Sequence, residues 1–155
     1  RDVYLSNFIK KSSGKLVSNM PLKGQIRLGH EDKIGGVATS GWRGRSYSLG
    51  IADSVTVLAK NAADADVAAT LIANAISVSS PSILRQPANE LAHDSDLQDR
   101  LVTVAVGRLT DDEIYRALAA GSSIAAAMHE DGQIAAVYAR LQGRSFMIGR
   151  QSLIR

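Results

Sequence analysis

The chain contains no cysteine, which excludes disulfides, thiolate nucleophiles and thiolate metal centres and leaves only oxygen or histidine ligands for any metal. No stretch approaches the roughly 18 consecutive apolar residues that a membrane span requires, so a soluble protein is expected, and the missing cysteine agrees with a reducing cytoplasm. Aromatic residues make up only 5% of the sequence and include a single tryptophan, Trp42. That is little stacking surface for single-stranded nucleic acid and argues against such a partner. Neither G-x-x-x-x-G-K-[ST] nor G-x-G-x-x-G occurs, so the phosphate loop and the dinucleotide fingerprint are both absent. His30, His93 and His129 lie far apart without the spacing of a histidine metal site, and Ser40 lacks the G-x-S-x-G setting of a hydrolase nucleophile.

What is present is enough for one core. The 155 residues are 45% hydrophobic and fit a single cooperative unit. Charge is unevenly spread: residues 1–45 carry nine Lys and Arg against three acids, and the remainder carries nine against twelve. A basic front half with few aromatics suits the phosphate or carboxylate of a small anionic ligand.

Residues 1–9 and 24–29 read as short strands joined by turns. Residues 53–59 alternate in a β-branched run and predict a further strand. Asn61 can then cap a helix over residues 62–76, with Asp64 three positions on and no Gly or Pro inside. Residues 77–99 hold Pro81, Pro87 and many polar residues and read as a long irregular connection with room for a short helix. Residues 101–106 predict a strand, and Thr110-Asp-Asp-Glu113 is a capping box for a helix running to about His129. Residues 133–148 are two apolar runs split by Gln142-Gly143, the pattern of a hairpin. Strands with interspersed helices predict an α+β layer.

Two groups of residues invite a chemical reading. On the first long helix, Asp66, Thr70 and Asn74 recur at four-residue intervals and share a face. Asp66 and Thr70 are hard oxygen donors one turn apart, spaced to reach one Mg²⁺ or Ca²⁺; the alternative is a solvated carboxylate and a surface threonine. The second group is the segment V-A-T-S-G-W-R-G-R-S-Y-S. If that segment is extended, Arg43 and Arg45 point the same way as a clamp for phosphate or carboxylate. Trp42 would stack on a planar ring or fill the core.

The ordered motifs G-V-A-T-S-G-W-R-G-R-S-Y-S-L-G-I-A-D-S-V-T-V-L-A, A-D-A-D-V-A-A-T-L-I-A-N-A-I, P-A-N-E-L, D-S-D-L-Q-D-R-L-V-T-V and L-Q-G-R-S resemble those of an uncharacterised bacterial and archaeal family, uncharacterised protein family 0280. That family is distantly similar to the ApbE flavin transferases, which move FMN from FAD onto a threonine of a partner protein. The resemblance implies a mainly antiparallel ApbE-like sheet with helices packed on it, in a single domain over residues 1–155 that lacks its N-terminal part. It implies Asp66 and Thr70 as ligands of Mg²⁺, and FAD or FMN as the cofactor. It further implies a pocket in which Thr39, Ser40, Trp42, Arg43, Arg45 and Ser46 face the Asp66–Thr70 stripe. The partner implied is a small anionic molecule, with a chain carrying the N-terminal half or a second copy completing the assembly. The H-H-I-D-P loop of the transferases is replaced here by residues 41–53, which contain no histidine. Three outcomes therefore stand open: a metal-assisted enzyme, a flavin or small-molecule binding module without catalysis, and an assembly subunit.

Overall fold

The computed structural model describes residues 2–6, 23–28 and 30–149. Strand β1 (Asp2–Ser6) pairs antiparallel with β2 (Lys23–Arg27). Residues 7–9 of the first expected strand and the turn segments around residues 10–14 and 20–22 lie outside the described residues. The centre of the molecule is a four-stranded antiparallel sheet in the order β3 (Gly36–Ser40), β4 (Ser54–Ala59), β7 (Ala136–Leu141), β8 (Arg144–Gly149). A separate antiparallel pair is formed by β5 (Ile83–Pro87) and β6 (Leu101–Val106), with the short helix α2 (Ala88–Leu91) between them. The architecture is α+β, as the sequence predicts.

Helix α1 (Ala62–Ala75) starts where Asn61 takes the amide of Asp64 on its side-chain oxygen at 2.8 Å. Helix α3 (Asp111–Glu130) starts with the complete capping box, in which Thr110 accepts from the Glu113 amide and Glu113 accepts from the Thr110 amide. Both helices lie on one face of the sheet, α1 over β3 and β4 and α3 over β7 and β8. Strand register explains which residues they cover. Val57 stands beside Val137 and Val55 beside Ala139, and all four are buried with Ile72, Ile76, Ile114 and Leu118 in the main core. Ala65, Ala68, Ala69 and Ala73 of α1 are buried inside this same core, so their small size serves close packing within the chain. At the crossing of the helices, Gly121 of α3 sits against Ile76, and a Cβ there would overlap Ile76 Cγ1.

The opposite face of the sheet carries Thr39, Thr56, Tyr138 and Met147 in one cross-strand row. Leu58, Ala136 and Tyr138 form a second, smaller cluster there with Leu28 and Ile34 against it. Burial pushes the Tyr138 phenol above its ordinary range, with a hydrogen bond to Ser145 acting in the opposite sense. Two strands were not expected from the sequence: β3, and β5 within the residues expected to form an irregular connection. No helix among the described residues is long and apolar enough to cross a membrane.

Candidate functional site

Residues 41–53 leave edge strand β3 and return into β4 as a loop with a closed neck. The Trp42 amide donates to Ala52 O at 3.0 Å and the Gly44 amide to Gly41 O at 3.0 Å. Glycine is needed at 41 because a Cβ would stand 2.6 Å from Asp53 O and 2.9 Å from Ala52 O. Asp53 fixes the neck to the hairpin turn beyond it. Its carboxylate accepts from the Gln142 amide at 2.7 Å, and its own amide donates to Arg140 O at 2.9 Å.

The returning arm of the loop is held between α1 and β6. Asn74 Oδ1 accepts from the Leu49 amide at 3.0 Å and from Ser48 Oγ at 3.3 Å. Thr103 of β6 donates its amide to Ser48 O and its hydroxyl to Gly50 O, both at 2.8 Å. The Ile51 amide reaches Ile76 O at the end of α1 at 2.8 Å. A Cβ at Gly50 would overlap Ala73 O, so the loop backbone lies directly on the last turn of the helix. With both arms tied, the exposed part is the tip, residues 43–47, carrying Arg43, Arg45, Ser46 and Tyr47.

This geometry separates some of the residues that the sequence groups together. Successive residues of a strand face opposite sides, and Thr39 belongs to the row on the face away from the helices, where its hydroxyl meets Thr56 Oγ1 at 2.8 Å. Ser40 pairs with Val55 on the helix side. Thr39 and Ser40 thus do not share a wall. Residues 42–46 turn rather than extend, so strand alternation does not aim Arg43 and Arg45 in one direction. The Arg43 guanidinium instead lies 5.1 Å from the centroid of the Trp42 ring, with its Nε 3.4 Å from Asp53 Oδ1. Arg43 is 66% exposed, so that ion pair is well screened and contributes little. Trp42 is half-buried, and its indole Nε1 is buried without an acceptor.

Asp66 and Thr70 are exposed on α1, on the helical face that carries Asn74 to the loop one turn further on. Among the described residues no group of three or more His, Asp or Glu side chains could hold a metal ion. Asp66 and Thr70 are two oxygen donors, and an ion seated there would take its other ligands from water or from a ligand's phosphates, the usual arrangement for Mg²⁺. Asn74 emerges as a structural anchor, a role its place in the polar stripe gave no means of telling from a ligand's. Thr103 carried no sequence signal beyond its place in a strand.

The family described as AbpE bacteria matches residues 2–147. UPF0280 protein MK0206 of Methanopyrus kandleri is 43% identical over 86 residues, which cover 54% of this chain and 36% of that relative. The matched region is therefore little more than a third of the relative's length. No solved structure matches.

Proposed function

The chain belongs to the AbpE bacteria family, and on that premise we propose that it binds an anionic, nucleotide-like or flavin-like ligand together with a divalent ion. The observation that supports this most is the construction of the loop: two tied arms, the returning one seated on the last turn of α1, present a basic tip, Arg43 to Ser46. Arginine and hydroxyl donors suit phosphate oxygens. Trp42, already covered by the Arg43 guanidinium, offers the planar surface on which an isoalloxazine or base would lie. Asp66 and Thr70 would hold Mg²⁺ by their oxygens, and the ion's part would be to neutralise phosphate charge. Ser40 would contribute from the helix side of β3, whereas Thr39 would reach only a ligand that extends round the sheet edge. In this reading a further wall comes from a chain carrying the N-terminal half or from a second copy.

Binding without group transfer is the version favoured by the loop itself. Its one carboxylate, Asp53, is committed to the Gln142 amide and to Arg43, and the loop has no histidine. No residue of the loop is left to act as a base.

The test is a thermal-shift titration with FAD and with FMN, each with and without Mg²⁺, on the wild type, Asp66→Ala and the double variant Arg43→Ala/Arg45→Ala. Binding to the native state raises the midpoint by mass action. The expected result is a flavin shift that needs Mg²⁺ and Asp66 and disappears in the arginine double variant. A flavin shift indifferent to both sets of changes would remove these residues from the site. Covalent FMN on an added threonine-containing acceptor protein would overturn the non-transfer version.

A further inference from the structure

We propose that Arg85 and Ser77 form an oxyanion site for a phosphoryl or carboxylate group, beside the C-terminal end of α1 and separate from the tip of loop 41–53. Arg85 lies on β5 opposite Thr103 of β6. Residues directly opposite in an antiparallel pair share a face. Thr103 donates its hydroxyl to Gly50 O, so Arg85 is on the side of the hairpin that meets the loop arm and the end of α1. Its Nη2 donates to Ser77 Oγ at 2.6 Å, one residue beyond the C-cap Ile76.

Among the described residues no acid balances the charge of this guanidinium. Arg85 is half-buried and its Nε is buried with no acceptor. Among the described residues no carboxylate lies within ion-pair range of it, whereas the exposed Arg43 and Arg116 each have one. Glu113, the carboxylate that reaches the segment after α1, is occupied by Thr110 and Ser80. The C-terminus of α1 offsets only about half an elementary charge. A partly desolvated cation without a counter-charge is costly to keep, and a bound anion removes that cost.

The donors present also define what would bind. Ser77 Oγ accepts from Arg85 and keeps its own hydrogen to donate to another group, and guanidinium has no acceptor at all. The two side chains thus offer hydrogen-bond donors and a full positive charge to an oxyanion, against the smaller partial negative charge of the α1 C-terminus.

The probes are inorganic phosphate and acetate, each compared with chloride at constant ionic strength, read by the thermal midpoint and by the Arg side-chain Nε–Hε resonances of the full chain. Wild type should show a phosphate- or acetate-dependent rise in midpoint and a saturable shift of the Arg85 Nε–Hε signal. Response to phosphate alone identifies a phosphoryl site, to acetate alone a carboxylate site, and to both an oxyanion site without further selection. Arg85→Gln should weaken binding at least about tenfold, the size of one lost charge-assisted contact. Arg43→Ala/Arg45→Ala and Asp66→Ala should leave it unchanged, which separates this site from the one on the loop. If Arg85→Gln fails to fold, Ser77→Ala with the wild-type resonance titration decides. An unmoved Arg85 resonance at saturating phosphate and acetate, or an undiminished midpoint rise in a folded Arg85→Gln, overturns the assignment.

Discussion

Gly121→Ala sets two magnitudes of opposite sign against each other. In an exposed helix the change would stabilise by about 1 kcal/mol, because alanine is the better helix former. At this position the added methyl overlaps Ile76 Cγ1, comes within 3.0 Å of Ile76 Cδ1 and lies 3.5 Å from Ile72 O. Ile76 is fully buried, and Cγ1 is bonded to its Cβ, so relief needs a new rotamer or a shift of one helix against the other. Overpacking of this kind costs about 1–3 kcal/mol. The net expectation is destabilisation by about 1 kcal/mol, read as a lower midpoint in urea with an unchanged slope. The decisive comparison is the same change in Ile76→Ala. That background loses about 2–5 kcal/mol by itself, and in it the new methyl enters a cavity and keeps the helix-propensity gain. Gly121→Ala should therefore change sign and stabilise the Ile76→Ala protein, with a coupling of about 2 kcal/mol across the cycle. A stabilising effect in both backgrounds, or equal destabilisation in both, would refute close packing of α1 on α3 at this crossing.

Two further outcomes follow from the hydrogen bonds. Asn74→Ala removes the acceptor for the Leu49 amide and Ser48 Oγ, so it should cost about 1–3 kcal/mol and speed amide exchange across residues 48–51 relative to the sheet. Glu113 has its carboxyl held below the usual range, first by the Thr110 amide and then by Ser80. A depressed folded-state value means the contribution is present above the ordinary glutamate range and is lost as pH falls through the lowered value. Glu113→Gln should accordingly flatten the acid limb of the stability curve, which urea midpoints between about pH 5 and pH 2 will show.

The elements that the sequence announces are those whose local and tertiary demands agree. Asn61 with Asp64 and Thr110 with Glu113 set both long helices, and alternation in residues 101–106 marks β6 to the residue. Strand β3 was concealed because G-V-A-T-S is short and flanked by glycine, and it forms through its pairing with β4 and the close seat of Gly36 against Asn61. Strand β5 ends in Pro87 and includes a register shift at Leu84/Arg85, which spoils its period. For the site, the basic composition of residues 41–46 was legible, but its shape was not. The turn at Gly44 and the opposite faces of Thr39 and Ser40 depend on where β3 ends. Arg85 carries no motif; its buried Nε without an acceptor, and the lack of a carboxylate near it among the described residues, set it apart only in three dimensions.

The order of strands in the central sheet has a kinetic meaning. β3 meets β4 and β7 meets β8 across short separations, but the sheet becomes one body only when β4 pairs with β7, across the chain between residues 59 and 136. Closing a loop of that length must precede any gain from the valines it brings together, which favours slow folding and a late seam in the middle of the sheet. The pair β5–β6 packs Ile83 and Val106 at its base on the main core and holds the arm of loop 41–53 through Thr103 and Ser48. It can thus open without parting that seam, so the Arg85 region and the arm of loop 41–53 would breathe together while β4 and β7 stay zipped.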